Sequence, residues 1–585
     1  MPCWISSVLD WRSADHRGRP RTRAARLGSI TLLMLLAGAC VPHKPTRSYD
    51  PTDGRSHPTA ACEALQPPAK DACGDNYPPD PAIRRASNSS VCTSVDELRA
   101  KGSIADYNTN GTAGSSVVAC FSHERFRPSD GAVGLPHDPF DLHVVEFDDD
   151  GQPWNADRED MTIQQLQQEL QKPAIVVTFI HGWKNDAEVC NGNIACFREV
   201  LEVLAKAETL YSTVTGAPPR RVIGVYIGWR GGTFQADLVN SIVTFWGRKH
   251  TAHVIGENGG VTALISRIRA IVEDARKSQG LWDTGAGLAT TTHVMIGHSF
   301  GGALLFSALG TTLNGSIGEA IQSSVDPSPP TRDPCSSGPP AATPPLTYPT
   351  QRKRGVSPAQ PLLQPARPVY VDSQGDLVIL VNPATEASRY ANLNQAVQVP
   401  FYRCQLPIFV TLASEADWAV GSFFPVGQSV ATLVRSARSR ASWLAMEQGL
   451  GLYEPYHTHR LMMKVLPDIP AKEKISDGCV CSSNLRAYGD ALVLRLKPFY
   501  ERLAYESSPD DLQLAAYQEF LFSRLEPIKD VDPNNPFMTV RIDDEIVGGH
   551  SDIFNARFLD FLIEFVVRTE VKRELVLRNT GGATK

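Results

Sequence analysis

The sequence predicts an α/β protein built on a doubly wound, mostly parallel sheet, and three observations carry that prediction. Six short apolar runs of branched and aromatic residues recur between positions 174 and 542, each the length of a strand buried on both faces. Amphipathic stretches with apolar residues at helical spacing separate them. The composition, 585 residues with 42% apolar and 21% charged, supplies a large core and excludes a wholly disordered chain, a collagen or a coiled-coil rod. A net charge of −6 gives no basic face for nucleic acid, and the one strongly apolar segment, near the start, excludes a multi-pass membrane protein.

The elements follow in chain order. Arg12, Arg17, Arg19, Arg21, Arg23 and Arg26 precede the apolar run Ile30 to Ala39. That run falls short of the ~20 residues needed to span a bilayer and suits a signal-peptide core, so residues 1–39 are predicted to be a signal peptide. Small residues Ala37, Gly38 and Ala39 run into Cys40, a segment that resembles the lipobox of bacterial lipoproteins. The resemblance implies lipidation at Cys40, a membrane anchor and a place in the bacterial cell envelope, facing the periplasm or the outer membrane. Residues 40–90, rich in Pro, Asp and Ala, read as a tether, and 91–141 as a cysteine-containing extension.

A core then begins with the strand D-L-H-V-V-E-F, ended by D-D-D-G at Asp148 to Gly151. It is predicted in three parts, 142–325, 369–419 and 482–585. Its strands are A-I-V-V-T-F-I before His181, R-V-I-G-V-Y-I before Gly228, T-H-V-M-I before Gly297, D-L-V-I-L-V before Asn382, I-F-V-T-L before Ala413 and F-M-T-V-R-I before Asp543. Helices are predicted from Met161, Val261 and Phe558. Residues 326–368 hold a density of Pro that blocks helix and central strand alike, and form a Pro-rich insertion. Residues 420–481 read as a helical, lid-like insertion.

Chemistry enters at G-H-S-F-G-G, Gly297 to Gly302, which directly follows a strand and leads into a helix. A serine at the tip of such a turn projects its hydroxyl above the sheet, and Gly297 and Gly301 stand where a side chain would clash. Strand, serine turn and helix together resemble the α/β-hydrolase fold, over about Leu142 to Val567 without the Pro-rich insertion. The resemblance implies an oxyanion loop after an earlier strand, met by His181, Gly182 and Trp183, with N–H donors from Trp183 and Phe300. His298 and His181 belong to the supporting motifs, and His181 is expected to close its own loop by hydrogen bonds. The acid should follow a later strand, where Asp417 stands with Glu415 its nearest rival and Asp544 a third choice. The base should precede the last helix, where glycines free the loop of His550. The order Ser299, Asp417, His550 matches the Ser, acid, His order of the fold. Segments Phe245 to Lys249, Asn382 to Ala384 and Tyr456 to His459 are similar to ones in bacterial α/β-hydrolases with no settled substrate.

The function expected is therefore a serine esterase or lipase acting on a small-molecule or lipid ester. A hydrolase-fold binding or envelope-assembly protein without turnover, and an acyltransferase using the same acyl-enzyme, stand beside it. No cofactor is expected. Nor is a metal: His250 with His253, His457 with His459, and Cys479 with Cys481 each lack a full ligand set. Of twelve cysteines, Cys3 leaves with the signal and Cys40 would be acylated, leaving an even number suited to disulfides in an oxidising compartment. Cys190 and Cys196 enclose a short loop and are the expected local pair. The pairing of Cys62, Cys73, Cys92 and Cys120 stays open, as does the oligomeric state.

Overall fold

The computed structural model describes residues 123–126, 140–187, 191–216, 218–231, 239–279, 290–325, 335, 367–372, 375–424, 436–464, 496–497, 500–501 and 514–581. The signal peptide, Cys40, the tether, nearly all of the 91–141 extension, Cys190, most of the Pro-rich insertion and parts of the lid-like insertion lie outside the described residues. Within them, no helix is long and apolar enough to cross a membrane.

The elements run β1 (His123–Phe126), β2 (Phe140–Phe147), α1 (Ala156–Glu169), β3 (Ala174–Ile180), α2 (Gly192–Thr215), β4 (Arg221–Trp229), α3 (Val239–Glu257), α4 (Gly260–Gln279), β5 (Thr292–His298) and α5 (Phe300–Val325). They continue with β6 (Leu377–Val381), α6 (Ala391–Ala396), β7 (Phe409–Ser414), α7 (Arg440–Glu447), β8 (His459–Met463), β9 (Gln518–Glu519), β10 (Ser523–Pro527), β11 (Phe537–Ile542) and α8 (Ala556–Gly581). Among the described residues eleven strands form one mixed sheet in the order β1-β2-β4-β3-β5-β6-β7-β11-β8-β10-β9. Every pairing from β2 through β8 is parallel. The outermost pairs at both ends are antiparallel.

The all-apolar runs are explained by burial on both faces. Alternate residues of a strand point to opposite sides. In β3, Ile175, Val177 and Phe179 join a core built with α2 and α8, whereas Ala174, Val176 and Ile180 join a second core built with α1, α4 and α5. Leu377, Ile379 and Val381 of β6 divide from Val378 and Leu380 in the same way. A strand sandwiched so completely shows no polar alternation, Thr178 being paired inside with His293, which is why these runs read as nearly continuous in the sequence.

One predicted boundary needs correction. Residues 420–481 are not wholly a helical insertion, because they contain β8, which pairs in parallel with β11 through Val540↔His459, Arg541↔Arg460 and Ile542↔Leu461. Only His459 and Leu461 of this strand are buried, so it lacks the apolar run that marks a central strand.

A second feature positions the site. From β3 the chain leaves through α2 to β4 on one side, and from β5 through α5 to β6 on the other. The adjacent strands β3 and β5 thus send their following segments in opposite directions, opening a crevice at their carboxyl ends, where ligands collect in open parallel sheets. The register aligns those ends across the sheet: Ile180↔Gly297, His298↔Val381, Val381↔Leu412 and Ser414↔Ile542.

A disulfide joins Cys335, inside the Pro-rich insertion, to Cys404 in the loop before β7. Cys196 is also disulfide-bonded, and its expected partner Cys190 lies outside the described residues.

Candidate active site

Ser299 stands between β5 and α5 with a φ of 56°, a left-handed backbone that a serine adopts only when its surroundings impose it. The surroundings are a close crossing of main chains. A Cβ at Gly301 would lie 2.1 Å from the carbonyl oxygen of Ile180, and one at Gly297 would lie 2.7 Å from that of Gly301. Both glycines are therefore required by space. The turn is also tied to the end of β6, since the Ser299 N–H donates to the Val381 carbonyl at 3.0 Å and the Ala384 N–H donates to the Ser299 carbonyl at 3.1 Å.

His550 and Asp417 meet the serine from two distant loops. The Nε2 of His550 lies 2.6 Å from Ser299 Oγ, and its Nδ1 lies 2.9 Å from Asp417 Oδ2. Asp417 is buried, and its Oδ1 accepts the Val420 N–H at 2.9 Å, which fixes the carboxylate. A carboxylate accepts and never donates when ionised, so Nδ1 of His550 carries the proton and Nε2 is left to accept from the serine hydroxyl. Glu415 is turned elsewhere, paired with Arg541 at 2.7 Å and Arg460 at 3.3 Å.

The His181 to Trp183 loop closes the other side of the crevice. A Cβ at Gly182 would come within 2.8 Å of Ser299 Cβ, so the backbone there runs directly beside the serine. The rings of Trp183 and Phe300 lie 6.4 Å apart, centre to centre. His181 supports the loop from beneath. The Trp229 N–H donates to its Nε2 at 3.1 Å, its Nδ1 faces the Gly182 carbonyl at 2.9 Å, and its ring stacks on Tyr226 and Trp229. Burial pushes its pKa down to about 4, so the ring is neutral and the tautomer is set by these two partners. Trp229 is braced in turn by Arg248, whose guanidinium lies over the indole and bonds both oxygens of Asp149.

Asn382 has a part in the site that the sequence did not reveal. With φ 45° at the end of β6, its Nδ2 donates to the His550 carbonyl at 2.9 Å and its Oδ1 accepts the Ser414 N–H at 2.9 Å. His298 contacts the same His550 carbonyl through Nε2 at 2.9 Å. The sequence marked Asn382 only as the first residue of N-P-A after the strand D-L-V-I-L-V.

Three of the four histidines in the pairs weighed as metal ligands have other hydrogen-bond partners. His457 and His459 face the carbonyls of Gly451 and Ala515 at 2.8 Å, and His253 faces Ser307 Oγ at 2.7 Å. Among the described residues no three metal-ligating side chains converge.

The site so defined is a Ser-His-Asp constellation at the switch point of a mostly parallel α/β sheet. No protein-family profile, no curated protein and no solved structure matches the chain.

Proposed function

We propose that the chain is a serine hydrolase of the α/β-hydrolase fold that cleaves carboxylic esters through an acyl-enzyme on Ser299. The observation that carries this reading is the continuous hydrogen-bonded relay from Ser299 through His550 to Asp417. In the reaction His550 Nε2 takes the hydroxyl proton as Oγ attacks the ester carbonyl. The buried carboxylate of Asp417 holds the tautomer and stabilises the imidazolium. The N–H groups of Trp183 and Phe300 meet the oxygen that becomes negative, each donor worth on the order of 3 kcal/mol at the transition state. His550 then gives its proton to the departing alkoxide, and water, activated by the same ring, releases the acid.

The positive φ of Ser299 and the clash-limited glycines around it support the nucleophile's role, because strained backbone of this kind clusters at functional sites. The test treats the fragment beginning after Cys40 with a fluorophosphonate, beside its Ser299→Ala variant, and assays p-nitrophenyl esters of several chain lengths. Labelling lost in the variant, with turnover on at least one ester, is expected. A folded wild type that takes no label would replace this reading with a binding or envelope-assembly role. Transfer to an added alcohol in place of water would make it an acyltransferase.

The leader supports placing this activity on a lipid-anchored envelope protein. In cells fed labelled palmitate, incorporation into the full chain and loss of it in Cys40→Ser are expected, and an unlabelled wild type would remove the anchor.

A further inference from the structure

We propose that His298 and Asn382 act as positioning residues, a two-donor clamp on the main-chain carbonyl of His550 that sets the reach of its imidazole to Ser299. The inference rests on the hydrolase reading and adds to it two residues outside the relay.

A carbonyl oxygen has two acceptor sites, and both are taken here, by His298 Nε2 and Asn382 Nδ2, each at 2.9 Å. Because a carbonyl only accepts, Nε2 of His298 must carry a proton. Among the described residues its buried Nδ1 has no hydrogen-bond partner, as the unprotonated nitrogen of that tautomer can be. The amide of Asn382 is oriented with equal definiteness, since its oxygen must face the Ser414 N–H and its NH₂ is thereby turned to His550.

The clamp joins the three segments that carry the relay. His298 immediately precedes the nucleophile. Asn382 reaches Ser414, whose carbonyl accepts the Asp417 N–H at 3.3 Å. The carbonyl between them belongs to the base. Gly548 and Gly549 precede His550 and add backbone freedom to that loop, which an anchor on its carbonyl takes away. Catalysis by proximity is sensitive to this, a displacement near 1 Å lowering rates on the order of 100-fold.

Both donors are also neutral. The rings of His298 and His550 are 5.2 Å apart, so a charged donor at this point would oppose the imidazolium that forms during the reaction. Burial first, and the neighbouring His550 next, push the His298 pKa down to about 3.

The test compares His298→Met, His298→Gln and Asn382→Asp with the wild type. Methionine fills the space without a donor, glutamine restores an N–H at similar reach, and aspartate turns an acceptor toward the carbonyl. Two readouts are taken: kcat and KM on a p-nitrophenyl ester, and the downfield proton resonance of the hydrogen-bonded His550 Nδ1–H, which needs no turnover. Expected are a kcat about 100-fold lower in His298→Met and Asn382→Asp, with KM within about twofold and the resonance broadened or lost. In His298→Gln the rate should return to within about tenfold of wild type and the resonance should reappear. A kcat unchanged in the folded Met and Asp variants overturns the clamp, as does a Gln variant no better than Met. If the wild type neither labels nor turns over, the hydrolase reading falls by itself. The resonance then decides the clamp, and its persistence in both donor-lacking variants overturns it.

Discussion

Asp417 Oδ2 lies 2.9 Å from His550 Nδ1, whereas Glu415, two residues earlier on the same loop, pairs with Arg541 at 2.7 Å. Sequence position alone left these two acids as rivals, and their side chains face different partners because Ser414 ends β7 and the chain turns between them. If Asp417 holds the histidine tautomer, Asp417→Asn should lower kcat about 10⁴-fold while leaving the folded state intact. Glu415→Gln, which loosens an ion pair outside the relay, should change kcat by no more than about twofold. Steady-state kinetics on one ester measure both, and the reverse ranking would reassign the acid.

The serine turn makes a contrasting prediction about glycine. In Gly301→Ala the new Cβ would meet main-chain oxygens of Ile180 and His181 at 2.1 and 2.5 Å, neither of which can move without disturbing β3. A loss of roughly 2–3 kcal/mol is expected. Gly315, farther along α5, has nothing among the described residues within 4 Å of such a Cβ, so Gly315→Ala should raise stability by about 0.5–1 kcal/mol. Urea unfolding midpoints of the two variants should move in opposite directions.

How much of this was legible in the sequence depended on burial. The run A-I-V-V-T-F-I is β3 residue for residue, because a strand covered on both faces is apolar save where a polar group finds a buried partner, as Thr178 does in His293. H-R-L-M-M and S-R-L-E-P became β8 and β10 without being recognised, since toward that end of the sheet only alternate positions are buried and the strands are short. The three residues of the relay were legible because the chemistry proposed for them restricts residue type: few side chains could serve as nucleophile, base and acid. Asn382 was visible only as part of N-P-A, since its partners come from β7 and from the His550 loop, 32 and 168 residues away. No local pattern encodes such a contact. The pairing of Cys335 with Cys404 escaped for the same reason, being made across a Pro-rich stretch that carries no periodicity.

That disulfide closes a span of 69 residues. Constraining a loop of this length in the unfolded chain is worth about 4 kcal/mol on the chain-entropy account. The double variant Cys335→Ala, Cys404→Ala should therefore unfold at lower urea concentration by up to that amount, and reductant should shift the wild type toward it. Fluorophosphonate labelling of the folded variant should persist, because the bond ties the loop before β7 and touches no member of the relay. Loss of labelling at full fold would show that the insertion helps to shape the site.

The last prediction concerns a buried ion pair between α3 and the segment that follows β6. Lys249 Nζ lies 2.7 Å from Glu386 Oε1, with Arg389 Nε 3.3 Å from the other oxygen, and both Lys249 and Glu386 are buried. Burial alone would raise the carboxyl pKa, but the attraction of Lys249 overrides it and holds the group at about 2, below its ordinary value of 4.5. Between those values the unfolded chain binds a proton that the folded chain refuses, so falling pH favours unfolding. The stabilisation, about 3 kcal/mol from the size of the shift, is complete above pH 4.5 and lost as pH falls toward 2. Glu386→Gln removes the titrating group and leaves Lys249 facing a neutral partner. The variant should be less stable than wild type by roughly 3 kcal/mol or more at neutral pH, with the difference narrowing through the acid range. Denaturant unfolding at a series of pH values measures this, and a difference that stays constant below pH 4.5 would mean that the lysine, rather than the carboxylate's charge, governs the pair.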